Sequence, residues 1–143
     1  MGEARDVMDR VTEAVTSGDA DALGGLYAED AAIETPDQGT VTGVDAIVGW
    51  FGAFQKAFPD MSWESLHEHE TGNTAIDEGY VVGTHTGPLE APTGECIPPT
   101  GKRVRVRSVD IATVENGAVT SHRFYFDQME FLGQLGLLPE VPS

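Results

Sequence analysis

The feature that most constrains the fold is a pair of strand-like segments joined by a hairpin turn. From Arg103 to Val114 the chain begins by alternating arginine with valine, and a period of two is typical of a β-strand. Glu115-Asn116-Gly117 follows, and Asn-Gly is among the strongest short signals for a hairpin. We therefore predict that Ala118 to Asp127 returns antiparallel to the first segment.

Helices are predicted in the first part of the chain. Residues 3–17 carry apolar side chains at helical spacing, and Gly18 is a natural helix end. Asp19 is predicted to cap a short helix that reaches Tyr27, and Thr42 is predicted to cap a longer one. The longer helix has an apolar stripe, which consists of Ile47, Trp50, Phe51, Phe54 and Phe58.

The order of the elements predicts the fold class. A short strand at 31–33 lies among the helices, a run of hairpin-joined strands begins at Met61, and a last helix spans 128–135, with Pro139 just beyond. Helices followed by consecutive strands are typical of an α+β fold, in which helices pack on one face of an antiparallel sheet. We predict a single domain over 1–143.

Charge and cysteine content exclude several classes of protein. The formal net charge is -16, from 24 acidic and 8 basic residues, so nucleic acids and anionic membrane surfaces would repel the chain. Cys96 is the one cysteine, which rules out an internal disulfide and fits a reducing, cytoplasmic location. The polar start MGEARDVMDR is unlike a secretory signal, and no apolar run is long enough to span a membrane.

Several short motifs follow one another in a characteristic order. They are Ala57-Phe58-Pro59-Asp60, Gly83-Thr84-His85-Thr86-Gly87, Pro98-Pro99-Thr100-Gly101-Lys102, Glu115-Asn116-Gly117, Phe126-Asp127-Gln128 and Gln134-Leu135-Gly136. Over nearly the whole chain this pattern resembles the SnoaL-like polyketide cyclases, which belong to the nuclear transport factor 2-like superfamily. The resemblance implies a cone-shaped α+β barrel, in which a curved antiparallel sheet wraps around the N-terminal helices and encloses a deep apolar pocket.

The resemblance also implies a function. Cyclases of this family close a polyketide ring by intramolecular aldol condensation and use neither a metal nor an organic cofactor, and the expected substrate here is an aromatic polyketide ester. The expected assembly is a homodimer or a higher homo-oligomer. Because the fold hosts several chemistries, two alternatives stay open. One is an isomerase, hydratase or hydroxylase of a related hydrophobic substrate, and the other is a non-catalytic module for ligand binding or dimerisation.

Asp127 is the first catalytic candidate. It follows the last predicted strand among aromatic residues, at a position where the family has an acid/base aspartate. A carboxylate in an apolar pocket has a raised pKa, which suits proton transfer next to a carbonyl group. The alternative is an N-cap for the helix over 128–135.

His85 is the second catalytic candidate. Alternation places it on the same strand face as Val81 and Gly83, and a neutral imidazole can donate a hydrogen bond to a carbonyl oxygen. The family has a histidine in a similar Gly-Thr-His context. The alternative is a structural histidine that closes the end of the strand.

Arg123 and Tyr125 are predicted to share a strand face with Asp127, opposite His122 and Phe124. If Asp127 points into the pocket, Arg123 and Tyr125 line it as well. Arg123 would then lower the pKa of Asp127 and oppose its use as a base. It can instead bind a polar group of the substrate or pair with an acidic residue on the neighbouring strand.

Ser108 and Asp110 follow two valines in alternation, so both are expected on the interior face of their strand. Asp110 can be a second acid/base, a partner for His85, or a partner for a nearby cation. The resemblance adds further residues that line the pocket, namely Tyr27, Ile33, Trp50, Phe54, Trp63 and Met129. His67 and His69 share a predicted strand face, but no further ligand spacing supports a metal site.

Overall fold

A computed structural model describes residues 2–90 and 94–137 of the chain, and Pro139 lies outside these residues. Within them the chain forms four helices and eight strands. In chain order these are α1 (Glu3–Ser17), α2 (Ala20–Gly24), β1 (Tyr27–Thr35), β2 (Gly39–Thr42), α3 (Val44–Ala57), β3 (Ser62–Thr71), β4 (Thr74–Thr84), β5 (Leu89–Glu90), β6 (Cys96–Ile97), β7 (Arg103–Glu115), β8 (Ala118–Phe126) and α4 (Gln128–Leu135).

Six strands form one curved sheet in the order β2-β1-β8-β7-β4-β3, and the short strands β5 and β6 pair separately. The predicted α+β fold is confirmed, with one difference in the sheet. β1 runs parallel to β8, whereas the other paired neighbours are antiparallel. This parallel pair joins the N-terminal part of the chain to the C-terminal hairpin.

The predicted hairpin between β7 and β8 is confirmed. Asn116 and Gly117 both adopt positive φ angles, 53° and 78°, which is the geometry of the tight turns that match strand twist. The register places Asp110 opposite Phe124 and Ala112 opposite His122. Asp110 and His122 therefore lie diagonally across the hairpin on one face of the sheet.

The inner face of the sheet packs against α1 and α3. Apolar residues of α1 recur on one face and are buried, as its helical spacing predicts, and α3 adds Ile47 and Phe51. Each such side chain stabilises the fold by about 1.5–3 kcal/mol when fully buried. The main core includes Ala4, Val7, Met8, Val11, Ala31, Ile33, Ala75, Ala112, Val114 and Val119.

Arg5 forms a buried ion pair with Asp77 that ties α1 to β4. Two nitrogens of the guanidinium lie 2.5 and 2.9 Å from the two carboxylate oxygens of Asp77, and Asp9 contributes a third contact at 2.7 Å. The hydrogen bonds and charges of these two acids raise the pKa of Arg5 further above its usual range. Since Glu68 also lies 3.8 Å from the guanidinium, Arg5 occupies the centre of this acidic cluster.

Two local predictions about the N-terminal half are wrong. The short helix ends at Gly24, and Tyr27 begins β1 instead, because the Gly24-Gly25 pair favours the end of a helix. Thr42 does not cap α3: Gly43 occupies the N-cap position, and it has no side chain with which to cap. β2, which was not predicted, pairs with β1.

A bulge in β3 changes which of its side chains face inward. The register with β4 shifts between Ser65 and His67, so the alternation that begins at Trp63 does not continue to His67. Gly79 of β4 makes this bulge feasible, because a Cβ atom there would collide with the carbonyl oxygen of Glu64. His67 and His69 are exposed and stack on each other, with ring centroids 6.4 Å apart.

Side chains of α4 satisfy the backbone of β7 beyond the end of β8. The amide of Gln134 accepts a hydrogen bond from the backbone N–H of Arg105 at 2.6 Å and donates one to its carbonyl at 2.9 Å. Glu130 accepts from the N–H of Arg107 at 2.8 Å. These contacts imitate a neighbouring strand along the part of β7 that precedes its pairing with β8.

Candidate active site

A cavity lies between α1, α3 and the inner face of the sheet. Its enclosed volume is about 60 Å³, and its lining is mostly apolar. The lining residues are Met8, Val11, Thr12, Val15, Thr16, Trp50, Phe51, Phe54, Met61, Ser62, Trp63, Val81, Asp110, His122 and Phe124. A cavity that holds benzene measures roughly 150 Å³, so a ring-sized ligand requires some side chains to move. Met8 and Met61 have the flexibility for this.

Three polar side chains form a hydrogen-bonded chain at this cavity. The hydroxyl oxygen of Tyr27 lies 2.7 Å from Nδ1 of His122, and Nε2 of the same ring lies 2.5 Å from Oδ1 of Asp110. Tyr27 and His122 are buried, whereas the Asp110 side chain keeps 16% of its surface exposed. The fold brings them together because β1, β8 and β7 are consecutive in the sheet.

The proton positions in this chain follow from its chemistry. An ionised carboxylate only accepts hydrogen bonds, so Nε2 of His122 carries a proton and donates to Asp110. In the neutral ring Nδ1 is then an acceptor, and the Tyr27 hydroxyl donates to it. Burial, together with the charge of Asp110, raises the pKa of Tyr27 well above its usual value, so the phenol keeps the proton that it donates.

Asp110 is the member of the chain that can reach a ligand. Both ring nitrogens of His122 are engaged, and the hydroxyl of Tyr27 is occupied by His122. Only one carboxylate oxygen of Asp110 contacts His122, and Asp110 lines the cavity. The arrangement therefore presents an oriented carboxylate to an apolar space, where it can remove or return a proton.

Trp63 supplies an unusual donor at the same cavity. It lines the cavity from β3, and its Nε1 is buried without a hydrogen-bond partner among the described residues. An indole N–H can only donate. Leaving such a donor unpaired costs about 1–3 kcal/mol, so its presence in a cavity wall requires an explanation.

The structure does not bring Asp127 into the cavity. Asp127 is exposed and caps α4, with its carboxylate accepting a hydrogen bond from the backbone N–H of Glu130 at 3.0 Å. Arg123 and Tyr125 share a face of β8 as predicted, but it is the outer face of the sheet, and Asp127 lies beyond the end of the strand. The inner face carries His122 and Phe124, because the sheet turns its aromatic side toward the core.

His85 is not among the described residues that line the cavity. It is buried against Phe58, with ring centroids 5.3 Å apart, and its Nδ1 accepts a hydrogen bond from the backbone N–H of Thr100 at 3.2 Å. Its own backbone pairs with Lys102 and Gly101. These contacts correspond to the alternative considered for His85, which is a structural histidine that closes the end of its strand. The space beside Gly83 is filled by Phe58 and Met61.

The other predicted pocket residues divide into three groups. Trp50, Phe54, Trp63 and Asp110 line the cavity. Tyr27 reaches it through His122, Ser108 lines a smaller cavity that also contacts Phe54 and Phe124, and Ile33 is in the core. Arg123, Tyr125 and Met129 are exposed, and the Tyr125 hydroxyl donates to Glu34 at 2.9 Å.

His122 is the main site residue that sequence reasoning missed. Alternation had placed it correctly with Phe124 and Phe126, opposite Arg123 and Tyr125. The aromatic content of the first face was the available signal, since two phenylalanines favour the interior more strongly than an arginine and a tyrosine do. The expectation that Asp110 faces the interior is confirmed, and its partner is His122 rather than His85.

Comparison with known families supports the fold and its general class. Residues 8–122 match a family described as SnoaL-like domain. No curated protein sequence matches the chain. In the described part of the chain no helix has the length and apolar character needed to cross a membrane.

Solved structures with the same fold include proteins for which different functions have been proposed. A proposed SnoaL-like polyketide cyclase from Jannaschia sp. CCS1 shares 17% identity with a TM-score of 0.83, covering 96% of this chain and 94% of its own. IdmH, a proposed polyketide cyclase from Streptomyces antibioticus, shares 26% identity with a TM-score of 0.78, covering 94% and 99%. AclR, a proposed hydroxylase from Streptomyces galilaeus, shares 24% identity with a TM-score of 0.80, covering 99% and 89%.

Proposed function

Because the chain belongs to the SnoaL-like domain family, we propose that it is a small acid/base enzyme whose base is Asp110. The observation that carries the proposal is the chain of hydrogen bonds from Tyr27 through His122 to Asp110, which ends at an apolar cavity. His122 orients the carboxylate and fixes which of its oxygens is available. Tyr27 in turn holds the His122 ring through the hydrogen bond to Nδ1.

The reaction that fits this site best is an intramolecular aldol-type ring closure. Asp110 removes a proton from the carbon next to a carbonyl group, which leaves an enolate. The enolate carbon forms a bond to a second carbonyl carbon of the same molecule, and the oxygen of that carbonyl becomes an alkoxide. The alkoxide takes the proton back from Asp110, so the carboxylate is regenerated. The cavity contributes by holding a flexible chain folded.

The substrate in this proposal is a small hydrophobic or aromatic carbonyl compound, such as an aromatic polyketide ester. The lining of tryptophan, phenylalanine and methionine suits a flat apolar body, and 26% identity to IdmH over nearly the whole of both chains favours ring closure. The volume of about 60 Å³ implies that one ring enters first and displaces methionine side chains. A homodimer or higher homo-oligomer is part of the proposal.

An isomerase, a hydratase or a hydroxylase is the second candidate, and the likeness of the fold to AclR is the observation behind it. Isomerisation of an unsaturated ketone begins with the same removal of a proton by Asp110. Ring closure and isomerisation therefore share a first step, and an experiment on that step tests both against a non-catalytic binding module.

Exchange of α-protons in D₂O measures the shared step without knowledge of the natural substrate. The probe is 2-tetralone, a bicyclic ketone with enolisable protons, and ¹H NMR follows their replacement by deuterium. The wild-type protein should accelerate exchange, and Asp110→Asn should abolish the acceleration. Asp127→Asn is the matched control, because it makes the same chemical change at an exposed cap that asparagine can also serve.

The two variants separate the assignments clearly. Loss of exchange in Asp110→Asn with normal exchange in Asp127→Asn supports the proposal. The reverse result would restore the prediction made from sequence for Asp127. If the wild-type protein binds 2-tetralone without accelerating exchange, the cavity is a binding site and the enzymatic proposal fails.

A further inference from the structure

The proposed reaction develops negative charge on a carbonyl oxygen, and a donor near that oxygen would lower the barrier. We infer that the indole N–H of Trp63 is this donor and that it is a catalytic residue which binds the carbonyl oxygen of the substrate. The inference rests on the proposed function, because it assumes that Asp110 forms an enolate in the same cavity. Sequence reasoning assigned the carbonyl oxygen to His85, which the structure places elsewhere.

The position of Trp63 is held by its neighbours in the sheet. It lies opposite Val81 of β4, which also lines the cavity. Gly79 leaves room for the indole, because a Cβ atom at that position would lie 2.9 Å from Cζ2 of Trp63. A ring packed against bare backbone in this way has little freedom to turn. The indole is therefore held in place before a ligand arrives, and electrostatic stabilisation of a transition state requires donors that are fixed in advance.

Thr12, Thr16 and His122 also line the cavity, and their side-chain hydrogens are engaged within the protein. The hydroxyl of Thr12 donates to the carbonyl of Met8 at 3.1 Å, and that of Thr16 donates to the carbonyl of Thr12 at 2.9 Å. The proton on His122 goes to Asp110. Among the described residues that line the cavity, Trp63 is the one with a buried and unpartnered N–H.

This donor narrows the class of ligand. An indole N–H pairs with an acceptor, so the complementary ligand group is a ketone, an ester carbonyl or an enolate oxygen, and the rest of the ligand is apolar. A hydrocarbon of the same shape would leave the N–H unpaired. Sites built to bond a polar group discriminate strongly against an analogue that lacks it.

The first test observes the indole proton directly. A ¹⁵N–¹H spectrum of the full chain contains indole signals from its two tryptophans, Trp50 and Trp63, and the signal missing from Trp63→Phe identifies Trp63. Titration with 2-tetralone should move that indole proton downfield, as expected when a hydrogen bond forms. Tetralin, which has the same rings without the carbonyl group, should not produce this shift. Equal shifts with both probes would overturn the inference.

The second test measures rate with the N–H removed and the shape retained. Replacement of Trp63 by 3-benzothienylalanine exchanges the N–H for sulfur in a ring of nearly the same size. We expect α-proton exchange of 2-tetralone to fall by about a hundredfold to a thousandfold, with binding of tetralin unchanged. Trp63→Phe provides a second variant from natural amino acids, and a circular dichroism spectrum confirms that each variant is folded.

Failure of this inference is distinguishable from failure of the proposed function. If the sulfur analogue exchanges 2-tetralone at the wild-type rate while Asp110→Asn is inactive, Trp63 is not the donor but Asp110 remains the base. If the wild-type protein shows no exchange and 2-tetralone still shifts the Trp63 proton, the donor role survives as ligand binding and the enzymatic role is lost.

Discussion

The hydroxyl oxygen of Tyr27 lies 2.7 Å from Nδ1 of His122, although 95 residues separate them in the chain. This contact crosses the single parallel pair of the large sheet, between β1 and β8. This bond engages Nδ1 of the buried His122 ring, and Nε2 of the same ring contacts the carboxylate of Asp110. The orientation of the carboxylate therefore depends on a residue that does not itself line the cavity.

Removal of the Tyr27 hydroxyl should affect both stability and the proposed activity. Tyr27→Phe leaves Nδ1 of the buried His122 ring without its donor, and we expect the free energy of unfolding to fall by about 1–3 kcal/mol. The rate of α-proton exchange should fall as well, because the His122 ring that orients Asp110 loses one of its two hydrogen bonds. Urea unfolding and the exchange assay in D₂O measure the two effects.

Tyr125→Phe is the control for this experiment. Tyr125 loses the same atom, but its hydroxyl bonds Glu34 at the surface, so the change in stability should stay within about 0.5 kcal/mol. Equal losses of stability in the two variants would show that burial does not make the Tyr27 contact more stabilising than the exposed one.

Removal of one partner of the Arg5–Asp77 pair should strongly lower the free energy of unfolding, because the other partner is then left as an unpaired buried charge. Asp77→Asn leaves a buried guanidinium with only the exposed acids Asp9 and Glu68 beside it, and we expect a loss of about 3–5 kcal/mol. Asp9→Asn removes an acid whose side chain is 58% exposed, and we expect a loss below about 1 kcal/mol. Chemical denaturation measures both, and similar losses would contradict the assignment of burial as the cause.

Acid should destabilise the fold through His85. Burial lowers the pKa of His85 below its usual value of 6.5, so the folded protein holds the ring neutral while the unfolded chain binds a proton. The contribution of the neutral His85 ring to stability is fully present above pH 6.5. It is lost as the pH falls from there through the lowered pKa of His85 in the folded state. His85→Gln removes this titration.

Urea unfolding as a function of pH tests this expectation. The difference in stability between wild type and His85→Gln should shrink as the pH falls below 6.5. A constant difference across that range would mean that His85 does not titrate differently in the folded and unfolded states. The other histidines are common to both proteins, so their titration cancels in the comparison.

How far the sequence predicts the molecule depends on how local each feature is. The β7–β8 hairpin and α1 were predicted correctly, and the cap of α4 was the alternative considered for Asp127, because a few neighbouring residues determine each of these features. The parallel contact of β1 with β8 was missed, since short motifs carry no signal for a partner almost the whole chain away. Without that contact Tyr27 was assigned to a helix, and its bond to His122 was not foreseen.

In the candidate site, too, the features set by neighbouring residues were predicted and those set by distant residues were not. Alternation correctly separated the two faces of β8 and placed Asp110 inside, but it does not state which face of a strand is interior. That choice is made by the packing of α1 and α3, which lie far away in the sequence. The resemblance to a family then favoured Asp127, whereas the inner face presents His122.

The side-chain contacts that protect the edge of β7 should be important for solubility as well as stability. Gln134→Ala removes two hydrogen bonds to the backbone of Arg105, and we expect a loss of about 1–2 kcal/mol and faster aggregation. Gln128→Ala, at an exposed position in the same helix, should have little effect. Denaturation and light scattering at equal concentration measure both. Equal aggregation rates would mean that the edge needs no protection.

The parallel pairing of β1 with β8 also has a consequence for the order of folding. The β7–β8 hairpin joins neighbouring segments and closes a short loop, whereas β1 must find its partner across almost the whole chain, which is entropically slow. We therefore expect the hairpin to form early, with Asp110 and His122 on one face of it. Tyr27 reaches His122 only when β1 pairs with β8, so the orientation of the carboxylate is expected to be completed after the hairpin has formed.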